Sequence, residues 1–395
     1  MNEDILKEFP SSLGQLKPAF QINLFTREAE PIPCEIEIGS IQNEETYLSE
    51  GISLVKTEDS SQVIISGYGI FLGKKSERLV IRQDDKAIYE IPLFRINEVV
   101  VVSKGVSLSS DLIHELCQRG IKLSFLNRNG QPFAMISSPL LTATIISRRE
   151  QIKAFDDRRG LEFAKIIVRG KIKNQESLLR YFGKYMKQSS PDKFRKVWEI
   201  ANKLRLLRHK VDSVDGTNIA EARDTLYGIE GHSGKLYWSG VKEIIGGRVE
   251  FFGRVHQGAI DVVNMLLNYG YGILYSVVWG AVLNAGLEPF AGFLHTDRPG
   301  KPSLVLDLVE EFRQPIVDRV VISHINLGQA IRIKDGLLDP DTRKIIGSKI
   351  LERLESTTTF QNKTYKLRSI IQIQARNLAS FLRGESSYNT FSFKW

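Results

Sequence analysis

Residues 292–313 read GFLHTDRPGKPSLVLDLVEEFR, and the chain is best read outward from them. Ser303 after Pro302 marks the N-cap of a helix, on which Leu304, Val305, Leu308, Val309 and Phe312 recur at helical spacing. On that helix Asp307 and Glu310 are three apart and Asp307 and Glu311 four apart, so each pair shares a face. His295 stands just upstream, after the apolar run FAGFL. One imidazole beside two carboxylates is a donor set that suits a hard divalent cation such as Mg or Mn. A surface helix whose acids are solvated or pair with Arg313 has the same pattern, so this stretch alone leaves both readings open.

Around it the chain is helical. Apolar positions with charged faces recur over residues 151–187, 194–209, 219–238, 258–270, 273–285, 342–354 and 365–383. Upstream the texture is β-type: TYLSEG, VIISG, RLVI, AIYEIPL, EVVVV, IKLSFLN and PFAMI are rich in Val, Ile, Tyr and Phe. Asp84 and Asp85 mark one hairpin turn, and Arg128, Asn129 and Gly130 another. One helix, DLIHELCQRG, interrupts the series, capped by Ser109 or Ser110 and ended by Gly120. The expected fold is therefore α+β with two domains. A small mainly-β, sandwich-like domain (46–137) leads through a linker (138–142) into a larger all-α catalytic domain (143–395). Residues 1–45, acidic and proline-bearing, read as an extension.

The 395 residues carry a formal net charge of +8, with 42% hydrophobic and 25% charged content, an ordinary globular composition. The charge is uneven. Residues 1–50 hold three Lys/Arg against ten Asp/Glu, whereas residues 143–212 hold 19 against eight. A basic surface of that size suits a polyanion, of which nucleic acid is the commonest, although many basic faces are only solvated. No apolar run of about 18 residues and no signal peptide is read, so the expected location is cytoplasmic, with no membrane association. Cys34 and Cys117 match neither a metal-ligand spacing nor a disulfide framework.

Two further features bear on chemistry. Glu230, in LYGIEGHSGKLYW, sits in a helical pattern where burial is costly unless the carboxylate is paired or holds a metal; an exposed Glu near a helix end fits equally. Gly231 and Gly234 allow a backbone or ligand to approach closely. Of the six histidines only His295 stands near a carboxylate cluster in sequence. There is no GxxxxGK[ST] loop, GxSxG elbow, HExxH or paired CxxC. Acids plus one His inside a basic helical domain remain, a set suited to metal-dependent phosphodiester chemistry.

Several stretches together resemble the CRISPR-associated adaptation integrase family, metal-dependent endonucleases that insert new spacers. They are YGIEG (227–231) with Tyr237 after it; DVVNMLLNYGY (261–271) preceded by Arg254; GLEPFAGFLH (286–295); SLVLDLVEEFRQP (303–315); and DGLLDPDTRKII (335–346). Gln151, Lys171, Asn174 and Gln175 fit the family's first long helices, and Gln374 and Ala375 its last. The resemblance covers about residues 47–395 and leaves 1–45 without a role.

The resemblance implies three ligands for Mg or Mn: Glu230 in the EG motif, His295 in the FLH motif and Glu310 one turn after Asp307, which becomes a supporting acid. Glu311 is then a solvated residue or an arginine's partner. The resemblance also implies a homodimer, a second small adaptation protein bound to it, and double-stranded DNA as a short spacer duplex and a repeat array. Insertion would proceed by 3′-hydroxyl attack on a phosphodiester, with nicking and branched-DNA resolution as related activities. Arg254, Arg298, Lys301 and Arg313 are candidates to hold phosphates, and ordinary surface charge is the other reading of each. A branched-DNA repair nuclease and a non-catalytic DNA-binding scaffold are the competing functions.

Overall fold

The structure is a computed structural model. It describes residues 20–22, 29–31 and 45–393, except 50–51, 57–60, 85, 128–131, 137–144, 256–258, 297 and 335. The expected linker and the turn at 128–130 lie outside the described residues, as does most of the 1–45 extension. Within residues 1–40, which form a unit of their own, strands Phe20–Ile22 and Ala29–Pro31 pair antiparallel.

The second unit begins with two sheets. The larger is mixed, with strand order Pro132–Ile136, Lys122–Leu126, Ile96–Val101, Ser61–Ile65, Ile52–Lys56 and Glu45–Ser49. Ile96–Val101 runs parallel to both its neighbours, and the other pairs are antiparallel. The smaller sheet orders Ser107–Leu108, Ile70–Lys75, Arg78–Gln83 and Lys86–Pro92. Side chains alternate across a strand, and the consequence is visible in the larger sheet. Val63, Ile65, Val99 and Val101 join Ile70, Leu72, Leu79 and Ile81 of the smaller sheet in one core, closed by Leu112 and Leu116 of helix α1 (Ser110–Gln118). Ile64, Val100 and Leu126 belong instead to the helical core. The sandwich-like reading holds, and one of its sheets serves two cores. A buried ionic cluster ties them further: the Arg368 guanidinium bonds Glu98 and Glu355, each at 2.8 Å, and Gln62 donates to Glu98 at 2.6 Å.

The helical part comprises α2 (Ile145–Ala154), α3 (Arg158–Lys184), α4 (Met186–Ser189), α5 (Pro191–Asp212), α6 (Ile219–Ile245), α7 (Val262–Asn284), α8 (Ser303–Val309), α9 (Arg319–Asn326), α10 (Pro340–Glu355) and α11 (Leu367–Leu382). Starts follow short polar caps: Asp157, Asn218, Asp261 and Asp339 each accept a first-turn backbone N–H. Three sequence readings need correction. The helix expected over 151–187 breaks at residues 155–157, where Asp157 restarts it as α3. The helices expected at 258–270 and 273–285 are one, α7. A Cβ on Gly270 would lie 2.7 Å from Ile350 and Val317, so this glycine serves close helix packing and not a turn. The fused α7 is long and apolar enough to cross a membrane by length and composition, and most of it is buried in the fold. The all-α region also carries two hairpins, Ile333–Lys334 with Leu337–Leu338 and Thr357–Phe360 with Lys363–Lys366.

Candidate functional site

Helices α3, α6 and α7 and the segment around α8 line one open cavity of ≈ 610 Å³. Lys171 and Gln175 come from α3, Glu230 from α6, His295 from the loop before α8, and Glu310, Arg313 and Gln314 from the turn after it. The three expected ligands thus line one space although Glu230 belongs to a different helix.

His295 is oriented by Asp307. The Asp307 carboxylate, fully buried, accepts the backbone N–H groups of Phe293 (2.6 Å), Leu294 (3.1 Å) and His295 (2.9 Å), and Oδ1 lies 2.7 Å from the His295 Nδ1. An ionised carboxylate only accepts, so Nδ1 carries a proton, and in the neutral ring Nε2 is the nitrogen that presents a lone pair. A second-sphere carboxylate holds metal-binding imidazoles in this way. The loop lies close against α8 because residue 292 is glycine: a Cβ there would approach the Leu304 nitrogen to 2.8 Å. Ser303 is not the N-cap. It is the first helical residue, and its Oγ accepts from the Gly292 N–H (2.8 Å) and donates to the Phe290 carbonyl (2.6 Å), which staples the loop to the helix.

Electrostatics separate the acids. The Lys171 ammonium stands between two carboxylates, bonded to Glu230 and 2.6 Å from Glu310 Oε2, and Arg313 reaches Glu310 Oε1 at 3.3 Å. Burial pushes the Glu310 carboxyl up, but Arg313 and Lys171 outweigh it and hold it below the usual carboxylate range. Burial works against the Lys171 charge in turn, and Glu310 and Glu230 overcome it. Arg254 is aimed by Asn264 (2.8 Å) and Asn268 (2.6 Å), one turn apart on α7. Its guanidinium and that of Arg313 lie 5.3 and 4.8 Å from the ring centre of Tyr271. Tyr271 and Tyr237 both donate to buried Asp318, whose carboxyl burial pushes up.

One expectation fails here. Glu311 is neither solvated nor an arginine's partner. It is fully buried and turned away from the cavity, accepting from Tyr388, from Gln374 (2.8 Å) and from the Phe391 N–H (2.8 Å). Burial, opposed by these neutral donors alone, pushes its carboxyl up to about 7. Arg298 and Lys301 form a turn of their own (Lys301 N–H to Arg298 carbonyl, 2.9 Å) and do not line the cavity, whereas Arg254 and Arg313 do.

Lys171, Gln175, Tyr271 and Gln314 received no site role from the sequence. The available signal was the polar run Lys171, Asn174, Gln175 on a helix whose neighbouring positions are apolar core. Among the described residues no group of three His, Cys, Asp or Glu stands positioned to hold a metal ion. The chemistry of the donors nevertheless suits one. Buried atoms without a hydrogen-bond partner gather in this wall, namely Gln175 Oε1, Gln314 Oε1, Arg254 Nε and Arg313 Nε. Bound water, cation or phosphate oxygen would satisfy them.

The family described as CRISPR associated protein Cas1 matches residues 63–351. A CRISPR-associated endonuclease Cas1 from Archaeoglobus fulgidus is 35% identical over 347 residues, 85% of this chain and 100% of that protein. A casposase bound to integration product shares the fold at a TM-score of 0.68 and 24% identity, over 83% of this chain and 92% of that one. A chain of a Cas6-RT-Cas1–Cas2 complex gives a TM-score of 0.68 at 21% identity, over 85% of this chain and 36% of that longer one.

Proposed function

The chain belongs to the CRISPR-associated Cas1 family, and on that premise we propose that its cavity carries out the family's phosphodiester chemistry. The protein is an endonuclease and integrase of CRISPR adaptation. Glu230, His295 and Glu310 would hold a Mg or Mn ion. When bound, the ion supplies charge neutralisation at the scissile phosphate. One observation carries this reading: two carboxylates and an imidazole with a free Nε2 line one cavity whose other polar residues are mainly cations.

The residues then divide the work. Asp307 keeps His295 in the tautomer that presents Nε2. Arg313 and Lys171 keep the buried Glu310 ionised, and Lys171 also pairs with Glu230. Arg254 and Arg313, stiffened by Asn264, Asn268 and Tyr271, oppose the negative charge that builds on a phosphate in the transition state. In strand transfer a 3′-hydroxyl oxygen forms a bond to phosphorus, the bond from phosphorus to the target strand's 3′-oxygen breaks, and that oxygen leaves with a proton. One phosphodiester is exchanged for another, so no energy-rich cofactor is required. With water as nucleophile the same geometry nicks DNA.

The proposed partners are a second copy of the chain, a small second adaptation protein of the kind named in the Cas1–Cas2 complex, and duplex DNA. The test incubates the protein and that partner with a labelled short duplex and a supercoiled plasmid carrying a repeat array. Covalent transfer of label that is lost in Glu310→Gln supports the reading. Robust nicking without transfer would leave a branched-DNA repair nuclease, and duplex binding with neither nicking nor transfer in Mn a DNA-binding scaffold; branched-DNA cleavage in Mn that is unchanged in the Glu310 and His295 variants would overturn the site assignment.

A further inference from the structure

Helix α3 separates two cavities. Lys171 and Gln175 face the one described above. Arg169 and Lys173 lie two residues to either side of Lys171, about 200° round the helix, and line a second cavity of ≈ 660 Å³. Its other walls are Arg208 of α5, the hairpin Thr357–Phe360 and Lys363–Lys366 with Thr359 and Asn362, and the C-terminal segment with Asn389 and Ser392. Gly170 keeps that segment tight against α3, since a methyl group there would collide with Thr390.

The lining is one-sided in charge. Three cations, several hydroxyls and several amides line the cavity, and no carboxylate does among the described residues. Two acids beside it pair with its arginines. Glu176 is shared between Arg180 and Arg208, at 3.0 and 3.2 Å. Asp212 meets Arg169 at 3.2 Å, both half exposed, a pair that water weakens strongly. Guanidinium and ammonium groups with hydroxyl and amide donors form the set that recognises phosphate oxygens, which fixes position without reading sequence. The cavity proposed to hold the metal, by contrast, sets its cations against Glu230 and Glu310.

We infer that this second cavity binds phosphate groups, carried by a nucleic-acid backbone lying across the far face of α3 or by a free phosphate-bearing ligand. The inference borrows from the proposed function only the identity of the first of these carriers. A backbone held here would occupy a face of the chain separate from the reacting strand, as a reaction that joins two DNAs requires.

Two variants test it in the full-length protein: Arg169→Glu with Lys173→Glu, which reverses charge, and Thr359→Val with Asn362→Gly, which removes a hydroxyl and an amide at constant charge. Binding of a labelled DNA duplex is measured across a salt series, and binding of inorganic phosphate by calorimetry. For a nucleic-acid carrier the first variant weakens duplex binding roughly tenfold and lowers the slope of log K against log salt by about 2. The second weakens it by roughly threefold with little change of slope, since it removes no ionic contact. For a free ligand, both variants lose inorganic phosphate while the duplex is unaffected. Loss only in the charge-reversed variant would mean a long-range field and no site, and no loss in either overturns the inference. Failure here is separable from failure of the catalytic reading, because Glu310→Gln removes chemistry while leaving duplex binding, and the second-cavity variants keep strand transfer at saturating DNA.

Discussion

Glu310 and Glu311 are neighbours in the chain and both are buried, yet they lie in opposite halves of the site's architecture. Glu310 faces the cavity, where Lys171 and Arg313 hold it ionised. Glu311 faces the C-terminal segment, where Tyr388, Gln374 and the Phe391 N–H satisfy its oxygens without supplying any charge. Burial is equal, so the nature of the partner decides the protonation state. A buried ion costs several kcal/mol unless an opposite charge stands beside it. The cavity wall is therefore built to keep charge, and the sealed wall to tie the segment down.

The largest expected effect breaks the cavity side. Glu310→Gln keeps shape and removes the charge, so metal-supported strand transfer should fall by several kcal/mol of transition-state stabilisation, on the order of 10³-fold. Transfer of labelled duplex into a repeat plasmid reads this. Near-normal transfer would remove Glu310 from the proposed ligand set. Alanine is the poorer probe, because it also removes the side-chain oxygens that Lys171 and Arg313 contact and leaves a cavity.

The next effect sharpens the sealed side. Glu311 has its carboxyl raised to about 7 in the folded state against an ordinary 4.5. The folded state therefore holds more protons than the unfolded one between these values, and stability must fall as pH rises from about 4.5 through 7. The loss is at most about 3 kcal/mol. Glu311→Gln, with its oxygen toward Gln374 and the Phe391 N–H and its amide toward Tyr388, should flatten that slope in thermal unfolding between pH 5 and 8 and leave strand transfer alone. A slope equal to the wild type's would show that Glu311 is not the group responsible.

Asp307 belongs to the cavity side although it does not line the cavity. Asp307→Asn replaces an acceptor of four hydrogen bonds by a group that accepts on one side only, and releases His295 from its tautomer. Loss of such a second-sphere carboxylate lowers metal affinity or activity by roughly 10- to 100-fold. A titration of Mn against strand transfer should show the variant needing correspondingly more metal; a parallel titration curve at wild-type midpoint would reduce Asp307 to a structural role.

The contrast between Glu310 and Glu311 also marks where sequence reading stopped. Glu230, His295, Asp307 and Glu310 stood out as candidates in short motifs, but only the family resemblance ranked Glu230, His295 and Glu310 as ligands and Asp307 as their support. The sandwich-like domain was legible because its segments are rich in Val, Ile, Tyr and Phe and are separated by turn residues. Glu311 was misjudged because its partners, Tyr388, Gln374 and Phe391, come from the end of the chain, and no local period carries that contact. Lys171 was quoted only as a helix residue for the same reason: its two carboxylates lie on other elements. Ser303 was misplaced because a Pro-Ser pair reads as a cap, whereas here the hydroxyl staples a loop folded back onto the helix. The helices expected at 258–270 and 273–285 are one because Gly270, despite its low helix propensity, packs inside it against Ile350 and Val317.

That last point yields the smallest and most discriminating effect. Glycine within a helix costs about 0.5–1 kcal/mol relative to alanine. On α6, a Cβ at Gly231 would meet nothing within 4 Å, so Gly231→Ala should raise stability by about that amount. On α7, a Cβ at Gly270 would lie 2.7 Å from both Ile350 and Val317, so Gly270→Ala should destabilise by about 1–3 kcal/mol of overpacking. The opposite signs follow from the same comparison, since Gly231 borders the open cavity and Gly270 the sealed core. If Gly231 is kept small so that a DNA backbone can pass close to α6, then Gly231→Ala should also weaken duplex binding while it stabilises the fold. Chemical denaturation and a binding titration on the one variant decide it: a gain in stability with unchanged affinity would leave the open space over Gly231 without a role in substrate binding.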